Sequence, residues 1–103
     1  MTLARKAYFP EATEDEYKAI QAWYADQSDT LAETFKAEVM RAVAFIEQFP
    51  EGSPISSGQV RKKVLRKPFE YTLFYVVEPE RIRILSVAHH KRRPGYWRER
   101  LKP

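Results

Sequence analysis

The sequence predicts an α+β domain. An N-terminal strand and an antiparallel helix hairpin precede about three antiparallel strands, whose sheet the helices cover on one face. Three observations predict this. Apolar residues recur at three- and four-residue spacing from 17 to 49. A Pro-, Gly- and Ser-containing stretch at 50–58 then interrupts the pattern. Beyond it, apolar residues alternate as they do along strands. A chain of 103 residues with 44% hydrophobic content holds one core, so 1–103 is expected to form a single domain.

Residues 5–9 form a short run that stops at Pro10, as an edge strand does. Thr13-Glu14-Asp15-Glu16 fits a capping box, with Thr13 as the cap and Glu16 reaching back to it. Tyr17, Ile20, Trp23 and Tyr24 continue as one apolar stripe that fades near Gln27. Thr30-Leu31-Ala32-Glu33 repeats the capping box after a short link at 26–29. Leu31, Phe35, Val39, Ala42, Ile46 and Phe49 then give a second stripe, which Pro50 ends. Aromatics at this spacing are core residues in the ordinary case, ahead of any cofactor site between the helices.

The stretch at 50–58 is expected to be an irregular loop. Residues 60–65 alternate imperfectly with basic side chains. Phe69, Tyr71, Leu73, Tyr75 and Val77 share one face of a strand, while Phe74 and Val76 add apolar bulk to the other. A strand apolar on both faces belongs in the centre of its sheet. Glu78-Pro79-Glu80-Arg81 makes a turn, and 82–88 returns as the partner strand.

Composition excludes several classes of function. The absence of cysteine removes disulfides, thiolate metal sites and cysteine nucleophiles. No apolar run approaches the roughly 20 residues that span a bilayer. The basic N-terminus, Met1 to Lys6, has no apolar segment behind it, so no signal peptide is expected and the cytoplasm is the expected compartment. Charge is divided along the chain. Residues 1–60 hold 5 Lys/Arg against 10 Asp/Glu, a net of −5, and residues 61–103 hold 13 against 4, a net of +9. Such a division suggests a cationic surface for an anionic partner, the plainer alternative being a solvated basic face.

The residues that could carry chemistry lie at the end of the last strand, from His89 through Lys91, Arg92, Arg93, Tyr96, Trp97 and Arg98 to Arg100. Imidazoles exchange protons near neutral pH, and guanidiniums clamp phosphate or carboxylate. His89 and His90 are adjacent on a strand and so point to opposite sides, which keeps them from sharing one metal. With no further acid or His at ligand spacing, no metal centre is expected. Tyr96 and Trp97 either offer contacts to a partner or pack back on the sheet. Arg61, Lys62, Lys63, Arg66 and Lys67 form a second basic cluster, which could merge with the first if the strands pair. No Gly-rich phosphate loop or serine-nucleophile elbow is present, and no cofactor is expected.

The chain resembles the RelE/ParE superfamily of type II toxin–antitoxin toxins. The residues that carry the resemblance span nearly its whole length: Phe9-Pro10-Glu11-Ala12, Trp23-Tyr24, the run from Phe35 to Phe49-Pro50, Val60-Arg61, the strand from Phe69 to Tyr75, and Ile84 to His89. The closing segment, with His89 to Arg93, Pro94, Tyr96, Trp97 and Arg100, is similar to the ParE-like branch. The resemblance implies a growth-inhibiting toxin with a cognate antitoxin as partner. In the ParE-like branch it implies a protein target, DNA gyrase, docked by Arg92, Arg93, Tyr96, Trp97 and Arg98. Charge reversal at Arg92 and Arg93 is then expected to abolish toxicity with little change in Tm. In the RelE-like branch it implies metal-free cleavage of messenger RNA on the ribosome, for which His89, His90, Arg61 and Tyr96 are the candidates. That ribonuclease pattern carries over incompletely. One of its arginines would fall near Thr72 and another near His90, and loss of one electrostatic stabiliser typically costs ~10²–10³ in rate. A plain nucleic-acid-binding module is a third possibility, with a steep salt dependence as its mark.

Overall fold

A computed structural model of the chain describes residues 5–102. The elements run β1 (Lys6–Tyr8), α1 (Glu11–Gln27), α2 (Asp29–Gln48), β2 (Ile55–Ser57), β3 (Val60–Val64), β4 (Tyr71–Val77), β5 (Arg81–His89) and a 3₁₀ segment, Tyr96–Leu101. The sheet has five strands in the order β1-β5-β4-β3-β2. The α+β class, the edge position of β1 and the central position of β4 agree with the sequence reading. Two features differ. The stretch expected to be loop contributes β2, an exposed three-residue edge strand, and β1 joins β5 in parallel. The first residues of the basic N-terminus lie outside the described residues. No helix among those described is long and apolar enough to cross a membrane.

Both predicted capping boxes are displaced, for related reasons. Helix α1 begins at Glu11, with Pro10 as its cap and the Glu14 N–H bonded to the Pro10 carbonyl at 2.8 Å. A proline there loses no donor and presets φ. Thr13 is thereby inside the helix, fully buried. Its hydroxyl lies 2.8 and 2.9 Å from the carbonyl oxygens of Ile84 and Leu85, so it bonds to β5 instead of the helix end. Helix α2 begins at Asp29, and Ser28 is its cap, accepting from the Leu31 N–H at 3.2 Å. Ser28 alone links the helices, and Thr30 lies within α2.

The helices cover the sheet through one main core. Phe35 is its centre, with ring centroids 5.1 to 6.0 Å from Tyr17, Tyr24, Phe69 and Tyr71. Alternation along β4 sends Tyr71, Leu73 and Tyr75 into this core. Val76 enters a second, smaller cluster on the far face with Val60, Leu85 and Trp97, and Phe74 packs against it. Trp23, read as part of the first stripe, is 57% exposed, and Phe49 is also exposed. Strand β5 contains a bulge: Phe74 stands opposite Ser86 and Tyr75 opposite Ile84, so Leu85 is the extra residue. The bulge changes which residues face the helices. Ile82 and Ile84 do so before it, and Val87 and His89 after it.

Glu38 fastens α2 to the turn between β3 and β4. It is 6% exposed, accepts two bonds from the Arg41 guanidinium, and accepts from the Arg66 backbone N–H at 2.6 Å and its side chain at 3.0 Å. The Arg41 bond, followed by those from Arg66, outweighs burial and lowers its carboxyl from 4.5 to about 2. A folded-state value below the unfolded one stabilises the fold above the unfolded value, and that contribution disappears as pH falls through the folded value. Acid unfolding followed by circular dichroism should therefore show stability falling between about pH 4.5 and 2. Glu38→Gln should be less stable at neutral pH and should lose part of that slope. An unchanged slope would show that Glu38 is not the responsible group.

Candidate C-terminal functional site

After β5 the chain turns through residues 90–95 into the 3₁₀ segment. Gly95 sits at φ 74°, in the left-handed region, and a Cβ there would lie 2.2 Å from the Arg98 guanidinium. Glycine thus permits both the turn and the fold of Arg98 back over it. Trp97, at 3% exposure, stacks on Phe74 at 4.8 Å and anchors the segment to the far face of the sheet. Arg83 donates to the Arg100 carbonyl at 2.8 Å, placing a cation at the end of the 3₁₀ turn where carbonyls are free.

The segment is joined to α1 by Glu16, whose side chain is 9% exposed. This carboxylate accepts from the Val87 N–H at 2.8 Å, from the Tyr96 hydroxyl, from Arg92 at 3.2 Å and from Arg100 at 3.1 Å. The Arg92 guanidinium also lies 3.6 Å from the Tyr96 ring centroid, with that of Arg100 at 5.3 Å. Burial first, and then the bond to Glu16, push the Tyr96 phenol up to about 12. Tyr96 is therefore a protonated donor held between two cations.

Glu16 is the residue that sequence reasoning missed as part of this site, because its spacing from Thr13 fitted a capping box. Placing Thr13 at the start of the apolar stripe through Tyr17, Ile20 and Tyr24 would have put Glu16 at the margin of a buried face. A carboxylate in that position needs several donors.

Of the candidate catalytic residues, His89, His90 and Tyr96 border one depression and Arg61 does not, but the two imidazoles face opposite sides of the sheet. His89 is on the helix face of β5, edge-on to the Tyr71 ring at 5.0 Å, and its Nδ1 accepts from the Lys91 N–H at 3.0 Å. Burial above all pushes the Tyr71 phenol up to about 12, so it too stays protonated. His90 is exposed on the opposite face, its Nε2 3.0 Å from the Thr72 hydroxyl. Arg61 stands opposite Tyr75 and donates to the Ser53 carbonyl at 2.8 Å.

The docking candidates also separate. Arg93 and Arg98 are exposed, whereas Trp97 is interior and offers no ring to a partner. Arg92 and Arg93, to which the sequence reading gave the same role, are not equivalent. Arg92 is paired with Glu16, so reversing its charge would set two carboxylates against each other and disturb the fold. Of the second basic cluster, Lys62 reaches the depression beside Arg93 and Arg98, while Arg66 is bound to Glu38.

A family model described as the ParE toxin of the type II toxin–antitoxin system, parDE, matches residues 8–94. Among solved structures, a chain of the "chromosomal ParDE TA system from P. aeruginosa" is similar, with a TM-score of 0.70 and 17% identity, covering 84% of this chain and 96% of that one. At that identity the likeness concerns the fold. No curated protein matches this chain.

Removing the Glu16 carboxylate leaves a buried N–H, a phenol and two guanidiniums without their acceptor. Glu16→Ala should cost about 2–3 kcal/mol in urea unfolding, and amide exchange at Val87 should quicken. Tyr96→Phe deletes one donor and should cost no more than about 1.5 kcal/mol. Equal losses in the two variants would contradict the hub role of Glu16.

Proposed function

The chain belongs to the ParE toxin family of type II toxin–antitoxin systems, and on that footing we propose that it inhibits growth by binding a protein target such as DNA gyrase. A cognate antitoxin is proposed to neutralise it. In this reading, 1–103 acts as one domain, and the surface around Arg93 and Arg98 makes the contact, with Arg92 and Tyr96 holding that surface in place.

The orientation and existing bonds of the groups needed for RNA cleavage carry this reading. The two histidines lie on opposite faces of the sheet. Thr72 supplies no charge for a phosphorane. The Tyr96 hydroxyl is already committed to Glu16 and, with its phenol raised to about 12, is a poor base at neutral pH. Arg61 is tied to backbone carbonyls on the other side of β4. Exposed cations on the turn and on the 3₁₀ segment that Trp97 anchors suit docking to an acidic protein surface, where charge sets encounter rate and register.

Expression in a bacterial host, reading both the DNA-damage response and messenger RNA ends, tests this. Induction should raise the damage response and leave messages intact. Arg93→Glu should lose growth inhibition while shifting Tm by no more than about 3 °C, as an exposed substitution should. Tyr96→Phe should remain inhibitory, since its hydroxyl meets Glu16 and Arg92 and Arg100 still hold the segment. Message cleavage at ribosome-occupied codons, lost on substitution of His89, His90 or Tyr96, would make the protein a ribonuclease and overturn the reading.

A further inference from the structure

The far face of the sheet, beside the 3₁₀ segment, holds a depression of about 320 Å³. Strand register builds its floor. Lys62 stands opposite Phe74, and Val64 opposite Thr72, with Ala88 beside Thr72 on β5. His90 continues that face one step past the strand end and bonds to Thr72. The turn and the 3₁₀ segment supply the opposite wall with Arg93, Pro94 and Arg98.

Every charged side chain lining this depression is basic, and no Asp or Glu is among them. Arg92 is paired with Glu16, which it shares with Arg100. Lys62, Arg93 and Arg98 have no carboxylate within salt-bridge distance among the described residues. The site therefore suits an anion, and its aromatic groups indicate which kind. Trp97 is buried on Phe74 and Tyr96 lies under Arg92, so neither ring offers a face for a base to stack on, and the exposed ring here, the His90 imidazole, is bonded to Thr72. Apolar contact comes from Val64, 50% exposed, and from Pro94. Cations spaced around an aliphatic wall match carboxylates interleaved with aliphatic side chains.

We infer that this depression docks an acidic, aliphatic segment of a protein partner, its carboxylates set among Lys62, Arg93 and Arg98 and its apolar side chains against Val64. The inference rests on the protein-target reading and extends the contact surface from the C-terminal segment onto β3. Lys62 is held in register by two flanking strand residues, so its ammonium is presented from a rigid element.

The purified full chain can be titrated at physiological salt with a labelled peptide of alternating Glu and Leu, and with a labelled single-stranded oligonucleotide of equal net charge. The peptide should bind more tightly. Lys62→Glu should weaken it by at least ~10-fold, and Lys36→Glu, an exposed change on α2, by less than ~2-fold. Equal losses for the two variants, or tighter binding of the oligonucleotide, would overturn the inference. In cells, Lys62→Glu with an unchanged Tm should abolish growth inhibition. If it still raises a full DNA-damage response, the depression is not the docking site and the protein-target reading stands. If the unaltered chain cleaves messages without a damage response, that reading falls, whatever Lys62 does.

Discussion

Strand β1 is three residues long and ends at Tyr8, opposite Arg83. Beyond that point, among the described residues, no strand lies beside the edge of β5 that faces away from β4, although Ile84, Leu85, Ser86 and Val87 are buried. Buried backbone groups need partners, and leaving one unpaired costs about 1–3 kcal/mol. Side chains supply them. Thr13 meets the Ile84 and Leu85 carbonyls, Arg100 meets that of Leu85, and Glu16 meets the Val87 N–H. This requirement sets the first turns of α1 against β5 and draws the 3₁₀ segment to the same place. The bulge at Leu85 lies within the region so stapled, and it decides that His89 faces the helices while His90 faces away.

The division of charge along the chain takes a definite form in three dimensions. Two glutamates from the acidic helical half each gather arginines from the basic half or from their own helix. Glu38 binds Arg41 and Arg66, and Glu16 binds Arg92 and Arg100. Each carboxylate is nearly buried, and several donors compensate its desolvation. Removing one partner from such a set costs more than the set contributes as a whole, so these acids act first as joints between layers. Among the described cations that no carboxylate pairs, Lys62, Arg93 and Arg98 lie around one depression. That residue of charge gives the far face its character.

The same bonds bear on chemistry. A phenol that donates to a carboxylate and lies between guanidiniums is well placed to position its neighbours and poorly placed to accept a proton. Trp97 has a comparable part: its area is committed to Phe74, and it presents Arg98 by fixing the backbone beneath it. His89 and His90, adjacent in the chain, turn their rings to opposite faces of the sheet.

By itself the sequence determined whatever depends on local period and local chemistry. Spacing of three and four residues marked both helices, alternation from Phe69 to Val77 marked the central strand and both its faces, and adjacency placed the two histidines on opposite sides. Tertiary structure alone decided what depends on distant partners. Thr13 and Glu16 have the spacing of a capping box, yet a buried strand edge some 70 residues away offers them better partners. Ser28 caps α2 because a single residue suffices to reverse the chain. Strand β2 is too short to show a period and exists only through the neighbour it pairs with, and the parallel pairing of β1 with β5 is likewise unmarked in the sequence. The bulge at Leu85 leaves no mark in composition, yet it reverses the facing of every later residue of β5. Periodicity records which face of an element is buried, and only packing shows what lies against it.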